Sequence, residues 1–331
     1  MTHLNACLRA TAARYPEQEA IVHAGQRLHW AEVDAAVDRL AAGLLALGVE
    51  RGETLGILCP TQPAYILIYL AAMRVGATLA GFNVHYTARE VREYAAKVQP
   101  ALFFVSAEME VAQQLAPTLA GIPSLRQAIA IGEPAPPGWL QLDNLLATPL
   151  TAAARGQITA REMQAQPEDG ALIVFTGGIT GTPKAALLTH RNIVSNIAAQ
   201  NHHLGWQAED RLLLHLPMNH VSGATLLTAG AVLSGATLVM QARFHPLHAL
   251  DLIATERITI LGQVPAMWIM QFLSPDFGRY DLSSLRMTLV SGAPTPAETM
   301  QRMAALAPIA HHAWGLTEAA GMVTYTAAGD G

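Results

Sequence analysis

The chain has 331 residues, 51% of them hydrophobic and only 14% charged, so it can bury a large core and is expected to fold into two lobes. Its formal net charge of −5 argues against nucleic acid as the main partner, because a phosphate backbone requires clustered Lys and Arg. The two cysteines, Cys7 and Cys59, lack metal-ligand spacing, and no signal-peptide pattern precedes them, so we expect a reducing, cytoplasmic location.

The first part of the chain alternates strand and helix patterns. Residues 20–23 and 27–30 are expected to pair as a hairpin, and a helix is expected over 31–47. Short apolar runs and longer amphipathic ones then predict strands over 55–59, 78–82 and 101–105, and helices over 62–75 and 88–98. Thr87 and Glu90 match a capping box at the start of the last of these helices.

The segment 147–169 is rich in Ala, Thr, Gln and Pro, and its hydrophobic residues show little periodicity. We interpret it as a connector between a first lobe, 1–146, and a second lobe, 170–331. In the second lobe the alternation resumes, with helices over 190–203, 221–233, 246–257, 265–273 and 296–306 and strands over 211–216, 236–240, 258–263, 285–290 and 309–313. Short apolar strands between helices predict an α/β fold with largely parallel sheets covered by helices.

One stretch, 221–240, carries no charge and has about the length of a membrane-spanning helix. It also contains five Ser or Thr residues, and Gly235 divides it. These features favour a buried helix followed by a buried strand over a membrane span.

The stretch with the clearest chemistry is 175–186, Phe-Thr-Gly-Gly-Ile-Thr-Gly-Thr-Pro-Lys-Ala-Ala, which follows an apolar strand pattern. Glycines allow backbone N–H groups to face an anion, threonine hydroxyls add donors, and lysine adds a positive charge. The combination indicates a polyphosphate-binding loop, although Pro183 distinguishes it from the common P-loop. Its candidate binding residues are Thr176, Gly178, Thr180, Gly181, Thr182 and Lys184.

The loop resembles the phosphate-binding signature of the adenylate-forming enzymes, which include acyl-CoA synthetases, adenylation domains of peptide synthetases, and luciferases. That signature reads aromatic-Thr-Ser-Gly-Ser/Thr-Thr-Gly-x-Pro-Lys-Gly. This chain departs from it at Gly177, Ile179 and Ala185, which removes two hydroxyl groups. The resemblance implies the layered αβαβα core of that family, and the departures keep open a non-catalytic adenylate-binding protein.

Two further segments follow the family's order. Residues 216–223, Leu-Pro-Met-Asn-His-Val-Ser-Gly, resemble a family segment whose histidine lies at the mouth of the acyl pocket, which implies a gating role for His220. Residues 290–294, Val-Ser-Gly-Ala-Pro, end a strand pattern with a backbone poor in side chains. The resemblance implies that Gly292, Ala293 and Pro294 line the adenine and acyl sites.

The last matching segment is 314–318, Trp-Gly-Leu-Thr-Glu, where the family usually begins with Tyr. An aromatic face at Trp314 can stack on adenine, and Gly315 allows close approach of the chain to a ligand. Thr317 can donate to the α-phosphate, and Glu318 offers a carboxylate ligand to Mg²⁺. We also expect His312 to reach the adenine edge.

The resemblance implies activation of a carboxylic acid by ATP and Mg²⁺ to an acyl-adenylate, followed by thioester formation with coenzyme A. The residues expected to act in catalysis are Thr176, Lys184, His220, Thr317 and Glu318. The alternatives are an adenylation domain that loads a carrier-protein thiol and a non-catalytic remnant. Family members continue into a small mobile lid domain, so we expect this chain to be a core without the lid and impaired in turnover.

The acyl pocket is expected to draw on residues 219–223, 263–268, 291–293 and 314–316, whose mixed character leaves aryl and fatty acids open. Histidines elsewhere, such as His245 and His248, lack completing ligands and are not expected to bind a metal. Asp210 is expected in a solvated turn.

Overall fold

The computed structural model describes residues 3–109, 111–177 and 184–326. The strands within these ranges are β1 (Glu19–His23), β2 (Gln26–His29), β3 (Thr54–Leu58), β4 (Thr78–Phe82), β5 (Leu102–Ser106), β6 (Gln127–Ile131), β7 (Leu140–Gln141), β8 (Gly170–Thr176), β9 (Lys184–Thr189), β10 (Arg211–Leu214), β11 (Thr237–Met240), β12 (Ile260–Gln263), β13 (Met287–Val290), β14 (Ile309–Leu316) and β15 (Gly321–Tyr325).

The α-helices are α1 (Leu4–Arg14), α2 (Trp30–Ala46), α3 (Pro63–Arg74), α4 (Ala88–Val98), α5 (Val111–Ala120), α6 (Leu142–Leu146), α7 (Ala152–Gln164), α8 (His190–Leu204), α9 (Gly230–Ser234), α10 (Pro246–Thr255), α11 (Pro265–Phe272) and α12 (Ala297–Ala304). A π-helix, Ser222–Ala229, precedes α9, and 3₁₀ turns occur at Phe277–Arg279 and Thr317–Ala319. The expected capping box of Thr87 and Glu90 at the start of α4 is confirmed.

The strands form two sheets. The first sheet has the order β7-β6-β5-β3-β4-β8-β9, and only its β8–β9 pair is antiparallel. The second has the order β15-β14-β13-β12-β10-β11-β1-β2 and is parallel except for the pairs at its two ends, β14–β15 and β1–β2. The prediction of largely parallel sheets is therefore confirmed.

Three hydrophobic cores show how the layers stack. The largest core contains residues from both sheets, such as Leu55 and Leu212, together with the buried faces of α1, α2, α3 and α8, so these helices lie between the sheets. A second core joins the outer face of the second sheet to α10, α11 and α12. A third joins the outer face of the first sheet to α4 and α5. The result is the expected αβαβα order of layers.

The sheets do not follow the lobe boundary expected at 147–169. The β1–β2 hairpin, from the predicted first lobe, joins the second sheet through the pairing of Ile21 with Leu238. In the opposite direction, β8 joins the first sheet through the pairing of Leu79 with Leu172. The segment 147–169 also contains α7, whose Ile158 is buried. The connector region is therefore part of the packed structure.

The uncharged stretch 221–240 forms the π-helix, then α9, then β11, and Gly235 ends α9 in the left-handed conformation. The expectation of a buried helix followed by a buried strand is confirmed. Within the described ranges, no helix combines the length and the apolar character that crossing a membrane requires.

Asp210 closes a turn through its N–H to the Gln207 carbonyl, as expected, but the expectation that it is solvated is wrong. Its side chain is only 4% exposed, and it accepts hydrogen bonds from Arg286 Nε at 2.7 Å and from Thr259 Oγ1 at 2.8 Å. A buried carboxylate requires such partners to offset the loss of hydration, and Arg286 and Thr259 are distant from it in the chain.

Candidate active site

A cavity of about 930 Å³ lies between the end of the first sheet at β8–β9 and the carboxyl ends of β12, β13 and β14 in the second sheet. It is bordered by residues from every motif that the sequence singled out. The predicted site residues that line it are Thr176, Lys184, His220, Gly292, Gly315, Thr317 and Glu318.

The predicted phosphate-binding loop, residues 175–186, is called the phosphate-loop motif below. Its two flanks lie on the neighbouring strands β8 and β9. Thr176 ends β8, Lys184 begins β9, and the two residues are antiparallel partners, which places their Cα atoms about 5 Å apart. The Lys184 side chain is exposed at the cavity. Gly178, Thr180, Gly181 and Thr182, the other residues predicted in this motif, lie outside the described residues.

His220 lies at the rim of the cavity, in a turn closed by its N–H donating to the Pro217 carbonyl. Its Nδ1 accepts the N–H of Ser222 at 3.2 Å and lies 2.9 Å from the Ser222 hydroxyl oxygen. The surrounding protein partly desolvates the ring and lowers the pKa of His220 below its ordinary value. Near neutral pH the imidazole is therefore uncharged, with its proton on Nε2.

Thr317 and Glu318 lie in the 3₁₀ turn Thr317–Ala319, directly after β14. Gly315 allows the antiparallel return of the chain, because a Cβ atom at that position would overlap the carbonyl oxygen of Gly321. β9 contacts the same turn, which brings Lys184 and Glu318 to one side of the cavity.

Two side chains that the sequence did not single out support this turn. Asn196 of α8 donates from Nδ2 to the carbonyl of Ala319 at 3.2 Å and to that of Met322 at 2.8 Å. Thr225 of the π-helix has its hydroxyl oxygen 2.6 Å from the Ala320 carbonyl. Thr225 carried a signal, because it is a polar residue in an uncharged, mostly apolar stretch, and such a residue usually has a partner. Asn196 carried none, because α8 contains many polar residues.

Four predicted site residues lie away from the cavity lining. Ala293 and Pro294 are exposed beyond Gly292, Trp314 is 60% exposed on β14, and His312 lies on β14 beside Val290. Their predicted roles at the adenine stay predictions. Trp268, expected in the acyl pocket, instead packs in the outer core against Phe272, with its Nε1 donating to the Leu289 carbonyl at 3.3 Å.

The inner part of the cavity is mostly apolar. Ile260, Gly262 and Val264 alternate along β12 and its extension and therefore share one face of the sheet, which forms one wall. Leu226 and Leu227 of the π-helix contribute to the cavity lining as well. Gln200 and Trp206 also line the cavity, and the sequence patterns did not reveal these two because they lie in a helix and a loop outside every motif.

The donor set fits a magnesium–nucleotide complex better than a free metal ion. Within the described residues, no group of three His, Cys, Asp or Glu side chains could hold a metal. Glu318 offers one carboxylate at the cavity, so a bound Mg²⁺ would take its remaining oxygen ligands from phosphates and water, as this ion commonly does.

Two stacked α/β layers, with a phosphate-loop hairpin and a Thr-Glu turn at a shared cavity, define the N-terminal core of an adenylate-forming enzyme. The chain belongs to the AMP-binding enzyme family, whose model matches residues 8–331.

Individual relatives agree with this assignment. The chain is 32% identical over 323 residues to the medium-chain acyl-CoA ligase ACSF2, mitochondrial, of Mus musculus. The aligned part covers 91% of this chain and 52% of the relative. The chain thus spans about half the length of that relative. Among solved structures, the N-terminal domain of FACL13 from Mycobacterium tuberculosis has a TM-score of 0.83 at 25% identity, covering 100% of this chain and 80% of that one. The anthranilate CoA ligase AuaEII has the same fold, with a TM-score of 0.90 at 20% identity over 99% of this chain and 62% of that one.

Proposed function

We propose that this chain is the nucleotide- and acid-binding core of an acyl-CoA synthetase. It would activate a carboxylic acid with ATP and prepare the acyl group for transfer to coenzyme A. The observation that carries the proposal is a single cavity with Lys184 and Glu318 at its mouth, His220 at its rim and an apolar interior. Such a cavity can hold the polar nucleotide and the apolar body of an acid together.

The first reaction joins a carboxylate oxygen to the α-phosphate of ATP and releases pyrophosphate. A carboxylate is a weak nucleophile, and its attack brings further negative charge to an anionic centre. The protein therefore contributes mainly positioning and charge neutralisation. A Mg²⁺ ion bound with ATP would neutralise part of this charge.

The chain's own residues divide this work. In this proposal Thr176 and Lys184 would hold the β- and γ-phosphates, Thr317 would donate to the α-phosphate, and Glu318 would offer a carboxylate oxygen to the metal. The uncharged ring of His220 can stand beside the entering acid without forming an ion pair that would trap the carboxylate.

Coenzyme A is the acceptor in this proposal because the Mus musculus relative is named an acyl-CoA ligase. The same name makes aliphatic acids of intermediate length the first substrates to test, and the apolar interior supports that choice. The relative is also named mitochondrial, so the cytoplasmic location expected for this chain stays a prediction.

The test is calorimetric and thermal-shift titration of residues 1–331 with Mg-ATP and with acyl-sulfamoyl adenosines, which are stable mimics of an acyl-adenylate. A ligand at a hundredfold excess over its Kd stabilises the folded state by about 2.7 kcal/mol, so binding would be visible. We expect stabilisation by both ligand classes. Absence of stabilisation by every one of them would contradict the proposal.

A second measurement addresses the acceptor. Octanoate, ATP and Mg²⁺ are supplied with either coenzyme A or a phosphopantetheinylated carrier protein, and thioester is quantified. Preferential thioester formation on the carrier protein would favour the adenylation-domain alternative.

A further inference from the structure

The loop after α8 reaches the edge of the second sheet that lies opposite the nucleotide residues. The Gly205 carbonyl accepts a hydrogen bond from Arg286 Nη2 at 2.9 Å, and Arg286 directly precedes β13. Trp206, the next residue, is therefore held near the amino ends of the parallel strands. Gly292 and Thr317, by contrast, follow the carboxyl ends of β13 and β14.

The cavity extends along the strands between these two edges. Its sheet wall runs from Val264 through Gly262 to Ile260, the first residue of β12. Four residue steps along a strand cover about 13 Å. Trp206 also lines the cavity, and the hydrogen bond between Gly205 and Arg286 holds it near the amino ends of the strands, away from Gly292 and Thr317.

The backbone of α9 supports the indole from behind. A Cβ atom added at Gly230, the first residue of α9, would lie 2.5 Å from Trp206 Cζ3 and 3.3 Å from Gln200 Nε2. The ring edge thus packs directly on the glycine. Gln200 Nε2 also donates to the Leu226 carbonyl at 3.1 Å, which holds this corner together.

We propose that Trp206, supported by Gly230, determines the longest acyl chain that this protein accepts. The proposal rests on the proposed function and deepens it, because it identifies the substrate class as acids whose apolar chain ends before it reaches the Trp206 indole. Within that length each added methylene becomes buried, which raises affinity about fourfold. A longer chain meets the indole, whose Cζ3 edge already packs on Gly230.

The experiment measures the Kd of acyl-sulfamoyl adenosines with straight chains from acetyl to hexadecanoyl on residues 1–331. For the wild-type protein, affinity is expected to rise about fourfold per methylene up to a break length and then to level or fall. Trp206→Ala removes the indole and should move the break to longer chains. Gly230→Ala adds a methyl group that pushes the indole and Gln200 into the cavity, so it should move the break to shorter chains.

Two further variants keep the test interpretable if Trp206→Ala fails to fold. Trp206→Leu keeps an apolar side chain at the site and should give a smaller shift in the same direction as Trp206→Ala. Trp139→Ala is the matched control, since Trp139 is another partly buried tryptophan that packs on the outer core of the first sheet. It should reduce stability and leave the break length unchanged.

The outcomes distinguish the role of Trp206 from the proposed function of the chain. If the analogues bind but the break is the same in wild type, Trp206→Leu and Gly230→Ala, the role of Trp206 is refuted and the proposed function stands. If no analogue binds even the wild-type chain, both are refuted. Opposite shifts in the Trp206 and Gly230 variants would establish the length limit.

Discussion

At the scale of single residues, Lys184 is the one side chain of the phosphate-loop motif that is both described and positively charged. It begins β9 with an exposed side chain at the cavity, opposite Thr176. ATP offers it the β- and γ-phosphates, which an acyl-sulfamoyl adenosine lacks. The two ligands can therefore distinguish a role in phosphate binding from a general effect on the site.

We predict that Lys184→Met weakens ATP binding and leaves the affinity for an acyl-sulfamoyl adenosine nearly unchanged. A hydrogen bond to a charged group contributes about 1.5–3 kcal/mol, so Kd for ATP should rise about tenfold to a hundredfold. Calorimetry with both ligands makes the measurement. Arg89→Met, which removes an exposed cation on α4, is the control and should change neither Kd. Equal loss for both ligands would point to a structural role for Lys184.

At the scale of elements, the β14–β15 hairpin presents Thr317 and Glu318, and α8 holds it through Asn196. The Asn196 amide donates to two carbonyls, one on each side of the turn between β14 and β15. Its effect on nucleotide binding would be indirect, through the position of the turn, so it is a positioning residue.

We predict that Asn196→Ala speeds hydrogen exchange in β15 and weakens ATP and the acyl-adenylate mimic alike. Loss of two hydrogen bonds, each with a net contribution of about 1 kcal/mol, should raise local exchange by roughly tenfold or more. Exchange measured by mass spectrometry over 321–325 provides the check. Asn144→Ala, at an exposed position of α6, should leave that exchange as in the wild type. Unchanged exchange in Asn196→Ala would refute the positioning role.

At the scale of the whole molecule, a buried network of charges joins α1, α2, α3 and α7. The Arg74 side chain is fully buried and pairs with Asp34 at 2.6 Å and Asp38 at 2.8 Å. Arg9 contacts the same two carboxylates and Glu162 of α7. Burial raises the pKa of Asp38, but hydrogen bonds and attraction from Arg9 and Arg74 outweigh it and leave this pKa below its ordinary value.

We predict that Arg74→Met lowers the free energy of unfolding by about 3–5 kcal/mol, because it removes a fully buried counter-charge from Asp34 and Asp38. Denaturant unfolding of the wild type and the variant gives the value. Arg89→Met, which breaks an exposed pair with Glu93, should lower it by no more than about 1 kcal/mol. A similarly small effect in both variants would show that the network contributes little.

Buried histidines make a second prediction about the whole molecule. Burial lowers the pKa of His190 and of His215 to about 4 in each case. In the unfolded chain each ring binds a proton below about pH 6.5, whereas the folded protein resists protonation until about pH 4. The stability is therefore complete above about pH 6.5, falls as the pH drops toward 4, and stays low below that value.

The check is the free energy of unfolding measured between pH 7 and pH 4 for the wild type, His215→Phe and His202→Phe. The His215 variant cannot take up the proton, so its stability should fall less steeply over that interval. His202 lies exposed on α8 and serves as the matched position, where the same substitution should leave the slope unchanged. Identical slopes in all three proteins would rule out the contribution of His215.

Some helices and strands could be predicted from their local sequence, and others could not. The strands β3, β4, β5 and β12 and the capping box of α4 were predictable because their signals lie within a few consecutive residues. The patterns did not reveal α1, β6 or β15, whose short or mixed segments gain order from the layers against which they pack. The pattern over 147–169 did not indicate helix α7, whose Glu162 pairs with Arg9 of α1 far away in the chain.

The sequence by itself determined the α/β alternation and the four motifs of the adenylate-forming family, because periodic hydrophobicity and local motif chemistry are carried by neighbouring residues. Only the tertiary structure decided that β8 and β9 join the first sheet while β1 and β2 join the second. It also decided that Trp206, outside every motif, lines the same cavity as those motifs. These features depend on pairing between residues far apart in the chain, such as Ile21 with Leu238, and no local pattern encodes such a pairing.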